Sequence, residues 1–336
     1  MKSGISLPLV NTLEIIRLVR TMTKRLFGVF LSFSLFFPGF LTAQDVKVFS
    51  IGSGNVSGNY FPVARAICDA FNSRDDSLRR CSPEPTPGSV YNLKMMQSGE
   101  LEFAIAQSDW QQAAFQGTTL FAKDGAMDDL RVVTPLFKEA VTILAAPNSG
   151  IRTIRDLRGK AVDLGRSASG RNASIRSFFD QTGFGLDWFG STYELEPSNA
   201  LQELCEGRID ASIFVLGHPN QLIQQALDRC EATIVSVTGP SVSEFLSQNP
   251  VYQIATINME PYGQPGREIP TISVVAALVA RDGVEASLVA DLADAIEDAH
   301  EKLTADLPVL DAGILKNPKV LNMPVPDHPG ISLVQN

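Results

Sequence analysis

Phe49-Ser-Ile-Gly-Ser-Gly-Asn-Val-Ser-Gly-Asn-Tyr60 is an apolar, strand-like run that ends in three glycines and feeds an amphipathic helix. Gly52, Gly54 and Gly58 allow a tight turn and a close approach to a ligand, while the free N–H groups at the start of the helix carry partial positive charge. The stretch is therefore predicted to be an anion cradle at a strand-to-helix turn. Behind it, Phe61, Ala64, Ile67, Cys68 and Phe71 recur at helical spacing, and Pro62 fits the first turn. The glycines are spaced one residue wider than the dinucleotide fingerprint, so a nucleotide cofactor is the weaker reading.

The N-terminus argues further against a cytoplasmic cofactor enzyme. Lys24 and Arg25 precede a mostly apolar run from Leu26 to Phe37, then Pro38-Gly39 and Leu41-Thr-Ala43 before polar Gln44. This is the layout of a secretory signal, residues 1–43, cleaved after Ala43, with an uncleaved anchor as the alternative and Met22 a possible true start. The leader carries five basic residues and one acidic one, so its removal takes the formal charge from -9 to -13. An acidic, exported chain excludes nucleic acid as a partner and fits capture of a small molecule. The 293 residues that follow suffice for two compact lobes in a monomer. The four cysteines are predicted to form the bridges Cys68–Cys81 and Cys205–Cys230, 13 and 25 residues apart, with buried free thiols as the alternative.

Strand-like and helix-like segments alternate in the manner of an α/β protein. Val46–Ile51, Cys81–Glu84, Phe103–Gln107 and Val132–Leu136 read as strands of a first lobe, with a helix over Val90–Gln97. Strands over Ala161–Leu164, Ala211–Leu216 and Ala232–Val237, and helices over Asn172–Gln181, Asn199–Glu206 and Asn220–Asp228, repeat that rhythm in a second lobe. Ala140–Pro147 and Thr271–Ala280 read as paired crossover strands that make a hinge. Residues 239–267, rich in Pro, Gly, Ser and Asn, read as mostly loop, and one long helix is expected from Val284 to Leu303.

Several motifs, in order, resemble one family. They are Ile51-Gly-Ser-Gly with Gly58-Asn-Tyr60, Gly88-Ser-Val-Tyr-Asn-Leu93, Ser98-Gly-Glu100, Ala106-Gln-Ser-Asp-Trp-Gln111, Asp156-Leu-Arg-Gly-Lys160, Gly207-Arg-Ile-Asp-Ala211, Gly217-His-Pro-Asn220 and His328-Pro-Gly330. The chain resembles the TAXI solute receptors, the substrate-binding subunits of tripartite (TRAP) periplasmic transporters. The resemblance implies a type II periplasmic-binding-protein fold, two α/β lobes joined by two hinge strands, with no cofactor and no metal. On that reading residues 44–140 begin lobe 1, 141–270 form lobe 2, and 271–336 return to lobe 1. It also implies a small carboxylate solute, glutamate-like or a dicarboxylate, and the membrane subunits of a TRAP transporter as partners. The chain departs from the family at Gly165-Arg-Ser-Ala-Ser-Gly-Arg-Asn172, where arginines replace small residues of a glycine-rich loop.

Loops beyond the strands' carboxyl ends converge on a cleft in such folds. The candidate ligand residues are Gly54, Asn55, Ser57, Asn59, Tyr60, Ser89, Gln107 and Ser108 from the first lobe, and Ser167, Ser169, Arg171, Asn172 and His218 from the second. Ser57, Ser89, Ser169 and Asn172 read equally as helix caps, Arg171 as a surface residue and His218 as a turn residue. Arg171 is expected to be dispensable for folding. Asp109 would repel an anion and is expected to orient a neighbour or to meet a substrate ammonium. An exported hydrolase is disfavoured, because Gly165-Arg-Ser-Ala-Ser169 fails the nucleophile-elbow pattern and the only histidines are His218, His300 and His328. A sensor subunit signalling to a membrane kinase would use the same fold.

Overall fold

Strand β1 (Lys47–Gly52) leads through the glycine loop into helix α1 (Tyr60–Asn72), whose buried stripe of Val63, Ala64, Ile67, Cys68 and Phe71 packs one face inward. The computed structural model describes residues 46–74 and 78–334; the expected leader lies outside the described residues. Strand β2 (Arg79–Glu84) runs parallel to β1, and helix α2 (Ser89–Ser98), strand β3 (Phe103–Gln107) and helix α3 (Ser108–Gln116) complete this run. Along β3, Phe103 and Ile105 enter one core and Ala104 and Ala106 the opposite one, because successive side chains of a strand point to opposite faces.

Strand β4 is longer than the two separate runs read from sequence: it extends over Leu130–Ala145 without interruption. After it come β5 (Ala161–Asp163), α4 (Gly170–Gln181), β6 (Ser191–Tyr193), α5 (Pro197–Cys205), β7 (Ala211–Leu216), α6 (Gln221–Cys230) and β8 (Thr233–Val235). Residues 239–267 are not mostly loop. They contain α7 (Pro240–Gln248), which buries Val242 and Phe245 behind an N-terminal proline, and β9 (Gln253–Asn258), which pairs with β10 (Glu268–Arg281). The expected long C-terminal helix is two, α8 (Ala286–Asp298) and α9 (His300–Asp306), broken where the His300 ring Nδ1 bonds the Glu297 carbonyl at 2.6 Å. Short helices α10 (Ala312–Lys316) and α11 (Ile331–Val334) follow.

The sheet order is β2-β1-β3-β10-β4-β7-β5-β6, with β8 on β4 and β9 on β10. Strands β4 and β10 run antiparallel through the middle, and their neighbours change where Ala140 pairs with Ser273. On one side lie β3, β1 and β2; on the other lie β7, β5, β6, β8 and β9. Two lobes are thus spliced onto one pair of continuous strands. Each lobe has a core on both faces of its sheet. Phe71, Phe103 and Leu292 pack on one face of the first lobe, and Phe178, Phe179 and Phe245 on one face of the second. Cys68 on α1 reaches Cys81 on β2 with 4.9 Å between Cα atoms, and Cys205 on α5 reaches Cys230 on α6 with 4.7 Å, so each pair sits at disulfide distance inside one lobe.

Candidate functional site

The loop makes the expected tight turn, closed by Gly58 N to the Asn55 carbonyl at 2.9 Å, but none of Gly52, Gly54 and Gly58 takes a positive φ in it. Gly52 lies against the core instead: a Cβ there would be 2.5 Å from Leu101 Cδ1. The loop is pinned from below by Asn92, fully buried, which donates from Nδ2 to the carbonyls of Ser53 (2.7 Å) and Ile105 (2.9 Å). Thr86 Oγ1 donates to its Oδ1 at 2.6 Å. A satisfied buried amide of this kind fixes the loop's position against the sheet.

The loop forms one wall of a cavity of about 130 Å³ between the lobes. Six helices start on it. Asn59 (α1), Gly88 (α2), Gln107 (α3), Ser169 (α4), Glu196 (α5) and Asn220 (α6) are the residues immediately preceding those helices, and all six line the cavity. Three come from each lobe. A parallel α/β sheet puts the start of each helix beyond the carboxyl end of the preceding strand, and the two lobes present these ends to one another. Leu195, Phe214, Val215, Leu216 and Leu222 give the cavity apolar walls on the second-lobe side, and a groove of about 670 Å³ shares Ser57, Gly58, Asn59, Asn220 and Leu222 with it.

Of the thirteen candidate ligand residues, nine line the cavity: Gly54, Asn55, Ser57, Asn59, Tyr60, Ser89, Gln107, Ser169 and Arg171. Their polar groups differ in what they are free to do. Ser57 donates from both N and Oγ to Asn55 Oδ1, at 2.9 and 2.6 Å, in a local turn. Asn55 Nδ2 crosses to Glu196 Oε2 at 2.7 Å, and Arg166 Nη1 reaches Glu196 Oε1 at 2.6 Å, so the lip of the cavity is a bridge between lobes. Asn59 does not cap α1; its Oδ1 accepts from Asn220 Nδ2 at 3.0 Å across the cleft. Ser169 does cap α4, accepting from Asn172 N. Ser89 Oγ accepts from Gln107 N at 3.1 Å, and Gln107, 2% exposed, leaves Nε2 without a partner.

Four candidates lie off the cavity lining. Ser108 is spent on the hinge, accepting from Val275 N at 3.1 Å. Asn172 bonds the Gly165 carbonyl at 2.7 Å and receives Arg176 Nε at 2.9 Å. Ser167 is exposed on the turn before α4. His218 is held between Thr142 Oγ1 (2.8 Å) and Tyr262 OH (2.6 Å), and burial lowers its pKa to about 4. It is a neutral strut of the second lobe.

Arg171 is not a surface residue. Its guanidinium lies 3.8 Å over the Phe214 ring and donates to Asp163 Oδ2 (2.5 Å), Ser212 Oγ (3.0 Å) and the Ile213 carbonyl (2.6 Å), while Nη1 has no partner. Asp109 sits off the cavity. It accepts from Ser174 Oγ at 2.5 Å and from Tyr252 OH at 2.6 Å, both in the second lobe, and burial raises its pKa. Of the two roles expected for it, it has the orienting one.

Sequence reading missed Glu139. It is 4% exposed, lines the cavity from β4, and accepts from Tyr60 OH at 2.7 Å. Desolvation lifts its pKa to about 8, the Tyr60 hydrogen bond opposes that, and the Asp109 charge adds to it. A charged residue inside the run Leu136-Phe-Lys-Glu-Ala-Val141 was the available signal, since a buried central strand has little reason to carry one.

Among solved structures the chain is similar to MatC of Rhodopseudomonas palustris with bound malate, at 16% identity and a TM-score of 0.54, over 86% of this chain and 96% of that one. It is also similar to the periplasmic aliphatic sulphonate binding protein SsuA of Escherichia coli (17% identity, TM-score 0.44, 80% and 77% covered). A putative L-cystine ABC transporter protein of Listeria monocytogenes matches at 12% identity and a TM-score of 0.48, with 78% and 96% covered. The molecule has the two-lobe α/β fold of the periplasmic binding proteins. Residues 51–332 match the model of the NMT1-like family, and the chain belongs to that family.

Proposed function

We propose that this chain is an exported solute receptor that holds a small carboxylate-bearing anion between its lobes and releases it unchanged to the membrane subunits of a TRAP-type transporter. The convergence of six helix N-termini on one cavity carries this reading. Each helix start brings the equivalent of about half a positive charge, worth roughly 0.3–1 kcal/mol to a nearby anion, while some first-turn N–H groups are already taken, by Asn220 Oδ1 at α6 and Ser169 Oγ at α4. The carboxylate is held by backbone donors of the glycine loop and of the first turn of α4, with the Ser89 hydroxyl and the unpartnered nitrogens of Gln107 and Arg171. The apolar second-lobe wall takes the carbon skeleton. Delivery to a TRAP transporter rests on the resemblance to the TAXI receptors in the motifs from Ile51 to His328, and export on the signal-like order of Lys24-Arg25, the apolar run and Ala43.

The test is a thermal-shift screen of the purified protein against amino acids, dicarboxylates and sulfonates, followed by calorimetry on each hit. A hit recovered chemically unchanged and weakened by Ser89→Ala supports the reading. No shift with any small anion, or consumption of the hit, would overturn it. Intact mass of the exported protein is expected to begin at Gln44.

A further inference from the structure

We infer that Glu139 recognises the solute as a neutral carboxylic acid, donating its proton to a solute oxygen, so that binding is linked to a proton held inside the cavity. The inference rests on the receptor reading and adds the residue that distinguishes an anion from other small solutes. Four observations carry it. Glu139 is buried and lines the cavity, on a hinge strand that both lobes share. Its hydrogen-bond partner is Tyr60 OH on Oε2. No cation of the described residues pairs with it, because the two arginines on the cavity are engaged elsewhere, Arg171 with Asp163 and Arg166 with Glu196. The six helix N-termini make the surroundings attractive to an anion and hostile to a ligand ammonium.

A buried carboxyl without a counter-cation takes a proton in preference to a charge. Its proton is then a donor next to the bound anion, as a short, charge-assisted hydrogen bond requires. An ionised Glu139 would instead repel the solute. The charged and titratable groups around it are Tyr60 from α1, Asp109 from α3, and the pairs Arg171–Asp163 and Arg166–Glu196 from the second lobe. Tyr60 holds its own proton, because burial and Glu139 raise its pKa, and Asp109 adds negative charge that keeps Glu139 protonated. A solute carboxylate placed beside Glu139 acts in the same direction.

The test is calorimetry from pH 6 to pH 9 with succinate and L-glutamate as probes, extended to whichever acid the thermal screen returns, in pairs of buffers differing in ionisation enthalpy. The wild type is expected to bind with no net proton exchange at pH 6, and to take up about half a proton per solute near pH 8. Its affinity should be about tenfold weaker at pH 9 than at pH 7, a slope that Glu139→Gln, neutral at every pH, should abolish. Proton release on binding, with affinity rising toward pH 9 for the amine-bearing probe alone, would make Glu139 an ammonium acceptor and overturn the inference while leaving the receptor reading intact. A pH-flat wild type would also overturn it. Failure of every acid to bind at any pH would remove the receptor reading and this inference together.

Discussion

Arg171 Nη2 donates to Asp163 Oδ2 at 2.5 Å in a part of the second lobe where the aspartate is completely buried. The aspartate is also saturated by other donors: Gly165 N at 3.1 Å, Leu195 N at 2.9 Å and Ser212 Oγ at 2.8 Å. The pair therefore ties the loop before α4, the loop before α5 and strand β7 into one unit. The arginines that set this loop apart from a small-residue glycine loop are structural first. Arg171 closes the back of the cavity wall, and Arg166 joins Glu196 at its lip.

Arg171→Ala is accordingly expected to destabilise the solute-free protein, contrary to the expectation from sequence that the residue is dispensable for folding. Removing one partner of a buried pair strands the other charge, at a cost of about 3–5 kcal/mol. Urea denaturation of Arg171→Ala and of Arg171→Ala with Asp163→Asn checks this, the double variant recovering part of the loss. A single variant as stable as the wild type would mean that the pair opens in solution.

The order of strands and helices was legible because buried strands and glycine stops leave local marks, as along Phe103–Gln107 and at Gly99, whereas Ser89 does not cap its helix and instead accepts from Gln107 N. Nine of the cavity residues were legible for the same reason, since each follows a strand or opens a helix. What was not legible depends on long-range partners. Ser108 looks like a ligand hydroxyl until Val275 N is seen to use it, and His218 until Thr142 and Tyr262 enclose it. Residues 239–267 were hidden by composition: Gly239 and Pro240 mark a loop equally well as a helix start, and the paired edge strand β9 alternates only weakly in hydrophobicity. Glu139 was hidden because its meaning comes from burial, which spacing along one strand does not report.

Each cysteine pair closes a loop inside one lobe, so its loss should loosen that lobe without touching the hinge. For loops of 13 and 25 residues, constraint of the unfolded chain contributes roughly 3 kcal/mol apiece. Cys68→Ser with Cys81→Ser, and Cys205→Ser with Cys230→Ser, should each lower the denaturation midpoint by an amount corresponding to this figure. Peptide mapping of the unreduced wild type should return the same two pairings, and a Cys81–Cys205 link would contradict the placement of the lobes' cores.

Glu139 should also leave a signature in the pH dependence of folding, independent of any ligand. Its pKa is about 8 when folded against 4.5 in the open chain, so the folded state holds the proton more tightly. The contribution is fully present below pH 4.5 and is lost as pH rises through about 8, a change on the order of a few kcal/mol. Glu139→Gln removes this titration. Its stability relative to the wild type should therefore improve from pH 5 to about pH 8 and level off by pH 9 in parallel denaturation series, and a constant difference across that range would show that the carboxyl is not held neutral.

At Gly170 the backbones of the two lobes come close together. It begins α4, and a Cβ there would collide with Gln107 Oε1 and lie 2.8 Å from the Ser89 Cβ of the first lobe. The Gln107 amide can swing aside, but the Ser89 Cβ is fixed to the backbone of α2, so an alanine holds the lobes apart by a distance the cleft contacts cannot follow. Among those contacts are Trp110 Nε1 to the Gly170 carbonyl (3.2 Å) and to Ser174 Oγ (2.8 Å), together with the Asp109 bonds to Ser174 and Tyr252. Within its own helix the change is favourable, since alanine is the better helix former by about 1 kcal/mol. Gly170→Ala should thus bind solute at least tenfold more weakly, by calorimetry, because closure around the ligand is what it blocks. Small-angle scattering should show that its radius of gyration no longer contracts on adding solute. Each lobe should retain its fold, so circular dichroism should match the wild type. Wild-type affinity with normal contraction would mean that the lobes close along a different path from the one Gly170, Ser89 and Gln107 define.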